Sequence, residues 1–167
     1  MSAGRRERGF TLVGVLILIA VLGGGVAAYG EIASHAAQRE KEQELLFIGN
    51  QFRQAIAAYY ERSPGGAKRY PQKLEDLLED KRYPVAQRHL RRLYRDPITG
   101  QAQWGLVEAP GGGIIGVHSL SEAAPIKTSG FAARDSAFEG VARYSGWHFS
   151  YAPVGDSLQA AKRTPSG

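Results

Sequence analysis

The chain has 167 residues, enough for one domain beyond a short N-terminal segment, and it contains no cysteine. That excludes a disulfide framework, a thiol nucleophile and a thiolate metal site, so the core must hold by packing alone. The net charge of +5 falls to +3 when residues 1–9, with three Arg and one Glu, are set aside, and so mild an excess predicts no nucleic-acid partner.

Arg5, Arg6 and Arg8, against Glu7, form a basic leader over residues 1–9. It runs into Phe10-Thr11-Leu12-Val13-Gly14-Val15-Leu16-Ile17-Leu18-Ile19-Ala20-Val21-Leu22, and no charge returns until Glu31. About 20 uncharged, mostly apolar residues can span a bilayer as a helix. Cationic flanks tend to stay cytoplasmic. The pattern therefore predicts a single-pass bacterial inner-membrane protein with its N-terminus cytoplasmic and its C-terminal head periplasmic. The rival is a cleaved signal peptide, with Ala20, Ala27 or Ala28 at the cut. That would leave a soluble periplasmic binding or enzyme domain starting near Tyr29. Against it stands Gly9-Phe10-Thr11-Leu12, placed at the border between charge and apolar run. A peptidase at the cytoplasmic membrane face would cut there and leave the apolar helix on the product.

At Arg8-Gly9-Phe10-Thr11-Leu12 the chain resembles the type IV pilin-like family, comprising type IV pilins and type II secretion pseudopilins. The resemblance implies cleavage by prepilin peptidase between Gly9 and Phe10, and N-methylation of Phe10. It implies a structural subunit of a type II secretion pseudopilus or a type IV pilus, supporting protein secretion and performing no catalysis. The partners it implies are other pseudopilins or pilins, the prepilin peptidase and an inner-membrane assembly platform. Family members usually carry Glu four residues after the Phe; this chain has Gly14. In the family that carboxylate is thought to pair with a neighbour's N-terminal amine, and unpaired it would be costly in lipid. Gly14 therefore implies a minor or tip-proximal subunit.

Residues 10–30 are expected to form the transmembrane or filament-core helix. Gly23-Gly24-Gly25 interrupts it, and glycine costs up to about 1 kcal/mol per residue in a helix interior. Three readings stand together: tolerance within lipid, close helix packing through small residues and, from the resemblance, a stretch that melts between filament subunits. Over residues 31–63 the helix continues amphipathically. Leu45, Ile48, Gly49, Phe52, Ile56, Tyr59 and Tyr60 recur at spacings of three and four, and Ser63-Pro64-Gly65-Gly66 stops it.

Residues 64–152 read as an α+β head, a small antiparallel sheet laid across the helix. Pro71, early acids and Leu74, Leu77 and Leu78 predict a short helix over 70–80, and a second is expected from about Ala86 to Tyr94. Asp96-Pro97-Ile98-Thr99-Gly100 is a turn. Strands are expected over 102–108, 114–119 and 146–151, with Pro110-Gly111-Gly112-Gly113 as a hairpin loop and 121–142 irregular. In the second strand Ile115 and Val117 should face one side, and Gly116 and His118 the other. The Tyr70-Pro71…Leu77 and Asp96-Pro97…Gly100 stretches resemble those of pseudopilins related to the major type II secretion pseudopilin. Residues 153–167 have little to bury and read as a flexible tail.

No catalytic residue, cofactor or metal ligand is assigned. His118 and His148 fall on neighbouring predicted strands and could meet, with Asp135 or Glu139 as a third ligand; a solvated sheet face is the simpler reading. His35 and His89 suggest no site. Calcium would want several clustered carboxylates, and Glu122, Asp135 and Glu139 are widely spaced. Gly111-Gly112-Gly113 lacks the Lys and Ser/Thr of a phosphate loop. Arg88, Arg91, Arg92 and Arg95 read as a solvated face. Trp104 and Trp147 should be core, while Phe131 and Phe138 are better candidates for partner contact.

Overall fold

The computed structural model describes residues 7–153, with side-chain surroundings for residues 12–19 and from 35 onward. Helix α1 spans Glu7–Glu61. The chain divides into two compact units, one ending at Glu40 and one beginning at Lys41, so α1 contributes residues to both.

The first unit corrects the expected membrane anchor. Among the described residues no helix is long and apolar enough to cross a membrane. A fold built on a transmembrane first half of the helix is therefore overturned. So is the single-pass inner-membrane placement with a cytoplasmic N-terminus and a periplasmic head. Residues 1–6 of the leader and 154–167 of the tail lie outside the described residues.

The second unit is α+β. Leu45, Ile48, Phe52, Ala55, Ile56 and Tyr59 of α1 are buried at three- and four-residue spacing, the stripe expected of a helix with one covered face. Their partners include Leu77, Leu90, Trp104, Ile114, Val117, Phe138, Tyr144, Trp147 and Phe149. Each large apolar side chain so buried stabilises the fold by roughly 1.5–3 kcal/mol. Phe52 meets Trp104 edge-on at 5.2 Å between ring centres. Phe138 stacks on Trp147 at 5.5 Å. Phe138 is thus core, contrary to its expected place at a partner surface, and Phe131 packs edge-on against both Phe138 and Trp147.

Strands β1 (Gly105–Glu108), β2 (Ile114–His118) and β3 (Phe149–Ser150) form one antiparallel sheet in the order β1-β2-β3. Gly112 and Gly113 turn the β1–β2 hairpin at φ of 86° and 89°, values that favour glycine. A bulge between Val107 and Glu108 shifts the register, pairing Val107 with Gly116 but Glu108 with Ile114. That re-aims the start of β2. Ile114 is buried and Ile115 only half-buried, where simple alternation put Ile115 inward.

The head's two expected helices are also corrected. The first reduces to a 3-10 turn, Leu74–Leu77. The second, over 86–94, is irregular: the Asp80 amide donates to Gln87 O, and the His89 and Leu90 amides donate to Leu77 O, so the backbone is used across the segment rather than along it. A 3-10 stretch, Ala133–Phe138, falls within the expected irregular region.

Candidate functional site: an exposed apolar run and a carboxylate-pinned head

Leu12, Val13, Val15, Leu16, Ile17, Leu18 and Ile19 are each between 51% and 62% exposed. At about 100° per residue, eight residues pass more than twice around a helix, so the apolar surface is continuous on all sides. A β-carbon placed on Gly14 meets nothing within 4 Å. Gly9 and Phe10, the expected cleavage and methylation site, lie in the helical backbone of α1, but their side-chain surroundings fall outside the described residues. The same holds for the surroundings of Gly23-Gly24-Gly25. Further along α1, within the head, Phe47 is also exposed, at 59%, on a side shared with Gln43, Glu44 and Gln54.

The head's loops are fixed to one another and to α1 by buried carboxylates. Glu42, on α1, accepts from the Ile126 amide at 2.6 Å, from the Lys127 amide and from the Tyr144 hydroxyl at 2.7 Å. Asp135 accepts from Arg53 Nη1 at 2.8 Å, while Arg53 Nε donates to Ser150 O; one helix arginine thus holds both the 3-10 stretch and β3. Asp96 accepts from the Ser119 hydroxyl at 2.6 Å, the Ile98 amide and the Thr99 hydroxyl, which makes the Asp96–Gly100 turn part of the core.

The fourth carboxylate secures the end of α1. A helix leaves its last carbonyls unsatisfied. Here Arg82 Nη2 donates to Tyr59 O, Lys68 Nζ to Glu61 O and the Tyr83 hydroxyl to Arg62 O. Arg82 is held in place by Asp80, which accepts from Nε at 2.8 Å and Nη2 at 2.7 Å. The guanidinium also lies 3.5 Å over the Tyr59 ring. His89 Nε2 stands 3.1 Å from the second Asp80 oxygen. The Arg82 hydrogen bond, aided by those of His89 and the backbone, holds the Asp80 carboxyl down at about 2. The same pair raises Arg82, and burial raises Tyr59. At the surface, the Lys68 hydrogen bond lowers Glu61, and Glu61 in turn holds Tyr151 up at about 12.

His118 and His148 do meet, with ring centres 5.0 Å apart. The third ligands considered for them are not assembled: Asp135 is committed to Arg53, and no group of three His, Asp or Glu among the described residues could hold a metal. Glu122 accepts from Arg143 at 2.7 Å. His89 belongs to the Asp80 node and His35 is exposed. Arg88, Arg91, Arg92 and Arg95 are exposed, with Arg92 over the Tyr94 ring and Arg95 bonded to Gly100 O. Sequence reasoning missed the pinning role of Glu42, Asp80, Asp96 and Asp135: Glu42, Asp96 and Asp135 act on residues far along the chain, and Asp80 acts on Arg82 and His89 within a segment read as helical. The chain matches no protein-family model, no curated protein and no solved structure.

Proposed function

We propose that this chain is a non-enzymatic structural subunit of a pilin-like filament, a type II secretion pseudopilus or a type IV pilus. The run Leu12–Ile19 carries the reading: seven large apolar side chains on eight successive helical residues, all more than half exposed. A helix apolar all round is stable only when something apolar covers it. In this reading the cover is the same segment of neighbouring subunits. The border motif Arg8-Gly9-Phe10-Thr11-Leu12 supports processing by a prepilin peptidase between Gly9 and Phe10, with N-methylation of Phe10. Gly14, where the family usually has Glu, supports a minor position in the filament. The head supplies the outer surface, and its partners are other pilins or pseudopilins and the assembly platform.

Intact-mass measurement and N-terminal sequencing of the mature protein test this. The expected product begins at Phe10 and carries one added methyl group. A product beginning near Tyr29, or one that retains Met1, refutes it.

A further inference from the structure

We propose that the loop between Asp80 and Gln87 is a contact for an anionic lipid surface: its apolar tip enters the interface and the cations around its base meet the headgroups. Contact of this kind lies on a membrane rather than crossing it, and it is separate from filament assembly. The loop is closed at its base. Asp80 and Gln87 form an antiparallel bridge, with the Asp80 amide donating to Gln87 O at 2.8 Å. Arg82 is held by Asp80 and donates to Tyr59 O, and the Tyr83 hydroxyl donates to Arg62 O, so the loop stands on the end of α1. Its tip, Pro84-Val85-Ala86, is exposed throughout. Leu77 and Leu90 on either side are buried in the core, yet Val85, at 80%, is the most exposed large apolar side chain among the described residues.

The charge around the tip has one sign. From Lys81 to Arg95 there are six Lys and Arg and no Asp or Glu. Arg82 is paired with Asp80. Lys81, Arg88, Arg91, Arg92 and Arg95 are exposed, and among the described residues none of them forms an ion pair. Lys81 and Arg88 each adjoin a residue of the bridge, so they flank the base of the loop. Arg91 and Arg92 lie within five residues of Gln87, at most roughly 18 Å of chain. Like charges gathered without acids among them repel one another and draw in an anionic surface.

A lipid surface fits both the tip and the charge. The field of an anionic leaflet acts on every cation within a Debye length of about 8–10 Å, so it asks for no converging geometry. The cations here do not converge: Arg88 donates to Leu78 O, Arg92 lies over the Tyr94 ring and Arg95 donates to Gly100 O, which makes no pocket for a single phosphate. An aliphatic tip beside cations is the pattern of an interfacial segment, where the tip sits at the acyl boundary and long arginine stems leave their heads among the phosphates. A nucleic acid would use the cations but not Val85, which has no ring to stack on a base.

The chain has no cysteine, so Val85→Cys carries a single environment-sensitive fluorophore on the full chain. Vesicles of phosphatidylcholine with phosphatidylglycerol should shift its emission to the blue and open it to a lipid-borne quencher. Vesicles of phosphatidylcholine alone should not, even where Leu12–Ile19 holds the chain to both. The same label on Gln54→Cys, exposed on α1, should not respond. Arg91→Glu together with Arg92→Glu should raise the anionic lipid needed by at least about tenfold, since each cation at such a surface contributes about fivefold. Circular dichroism checks the fold, and salt near 1 M, where the Debye length is about 3 Å, should remove the response without any substitution in the basic stretch. A Val85 label that is silent on anionic vesicles, that responds equally to neutral ones, that is matched by the Gln54 label, or that responds to a DNA duplex and not to vesicles overturns the proposal.

Discussion

Asp80→Asn isolates the node that ties the end of α1 to the 77–90 segment. The Asp80 side chain is fully buried and its Arg82 partner is only 22% exposed, so solvent screens the pair weakly. Its carboxyl is held at about 2 against an ordinary 3.8. At about 1.36 kcal/mol per unit, the ionised group stabilises the folded state by roughly 2 kcal/mol. Because the folded pKa is the lower one, that stability is fully present above about pH 4 and is lost as pH falls towards about 2. Asn keeps the shape but replaces one acceptor oxygen by a donor facing the Arg82 guanidinium. The variant should therefore be about 2–3 kcal/mol less stable at neutral pH. Urea unfolding of both proteins from neutral pH down to about pH 2 reads the difference. The gap should close as the parent chain acidifies. A gap that stays constant across the range, or one below about 0.5 kcal/mol at neutral pH, refutes the assignment.

Glu42→Ala removes the acceptor for the Ile126 and Lys127 amides and the Tyr144 hydroxyl; we expect a loss of about 2–4 kcal/mol in denaturant unfolding, with faster amide exchange at 126–127. Gly49→Ala should destabilise despite the better helix former, because the new β-carbon would collide with the Phe149 ring in the core; thermal melting should show a net loss of about 1–2 kcal/mol. Leu16→Glu, on the exposed run, should leave the head's melting temperature unchanged while abolishing crosslinked oligomers of the full chain. A lowered melting temperature there would place Leu16 in the head's own packing instead.

Punctuation by proline and glycine was readable from sequence, and so was pairing that is local. The β1–β2 hairpin follows from the glycines of its loop, and the Asp96–Gly100 turn from its own residues. The 70–80 and 86–94 segments were misread because leucine spacing alone does not distinguish a helix from a turn whose amides bond elsewhere. In the structure the Ile114 amide donates to Pro71 O, and those of His89 and Leu90 to Leu77 O. Glu42 sits in a run of alternating charge, Arg39-Glu40-Lys41-Glu42-Gln43-Glu44, that resembles a solvated helix face. Only its partners, more than 80 positions away, reveal it as buried. The His118–His148 meeting was legible, since two strand-like segments carried it; the bulge beside Glu108 was not, since nothing local marks it. The apolar run was legible as composition. Its expected passage through a membrane did not survive: among the described residues no helix is long and apolar enough to cross one.

The pinning of the head by acid groups has a consequence for how it can fail. Where many small domains are laced by sulfur bridges, this one is closed by Glu42, Asp80, Asp96 and Asp135. With no cysteine in the chain, reductants find no bridge to break, and folding needs no disulfide isomerase. The same choice trades one vulnerability for another: the Asp80 clasp slackens once protons fill its carboxyl, so strong acid, not a reductant, is what loosens the end of α1.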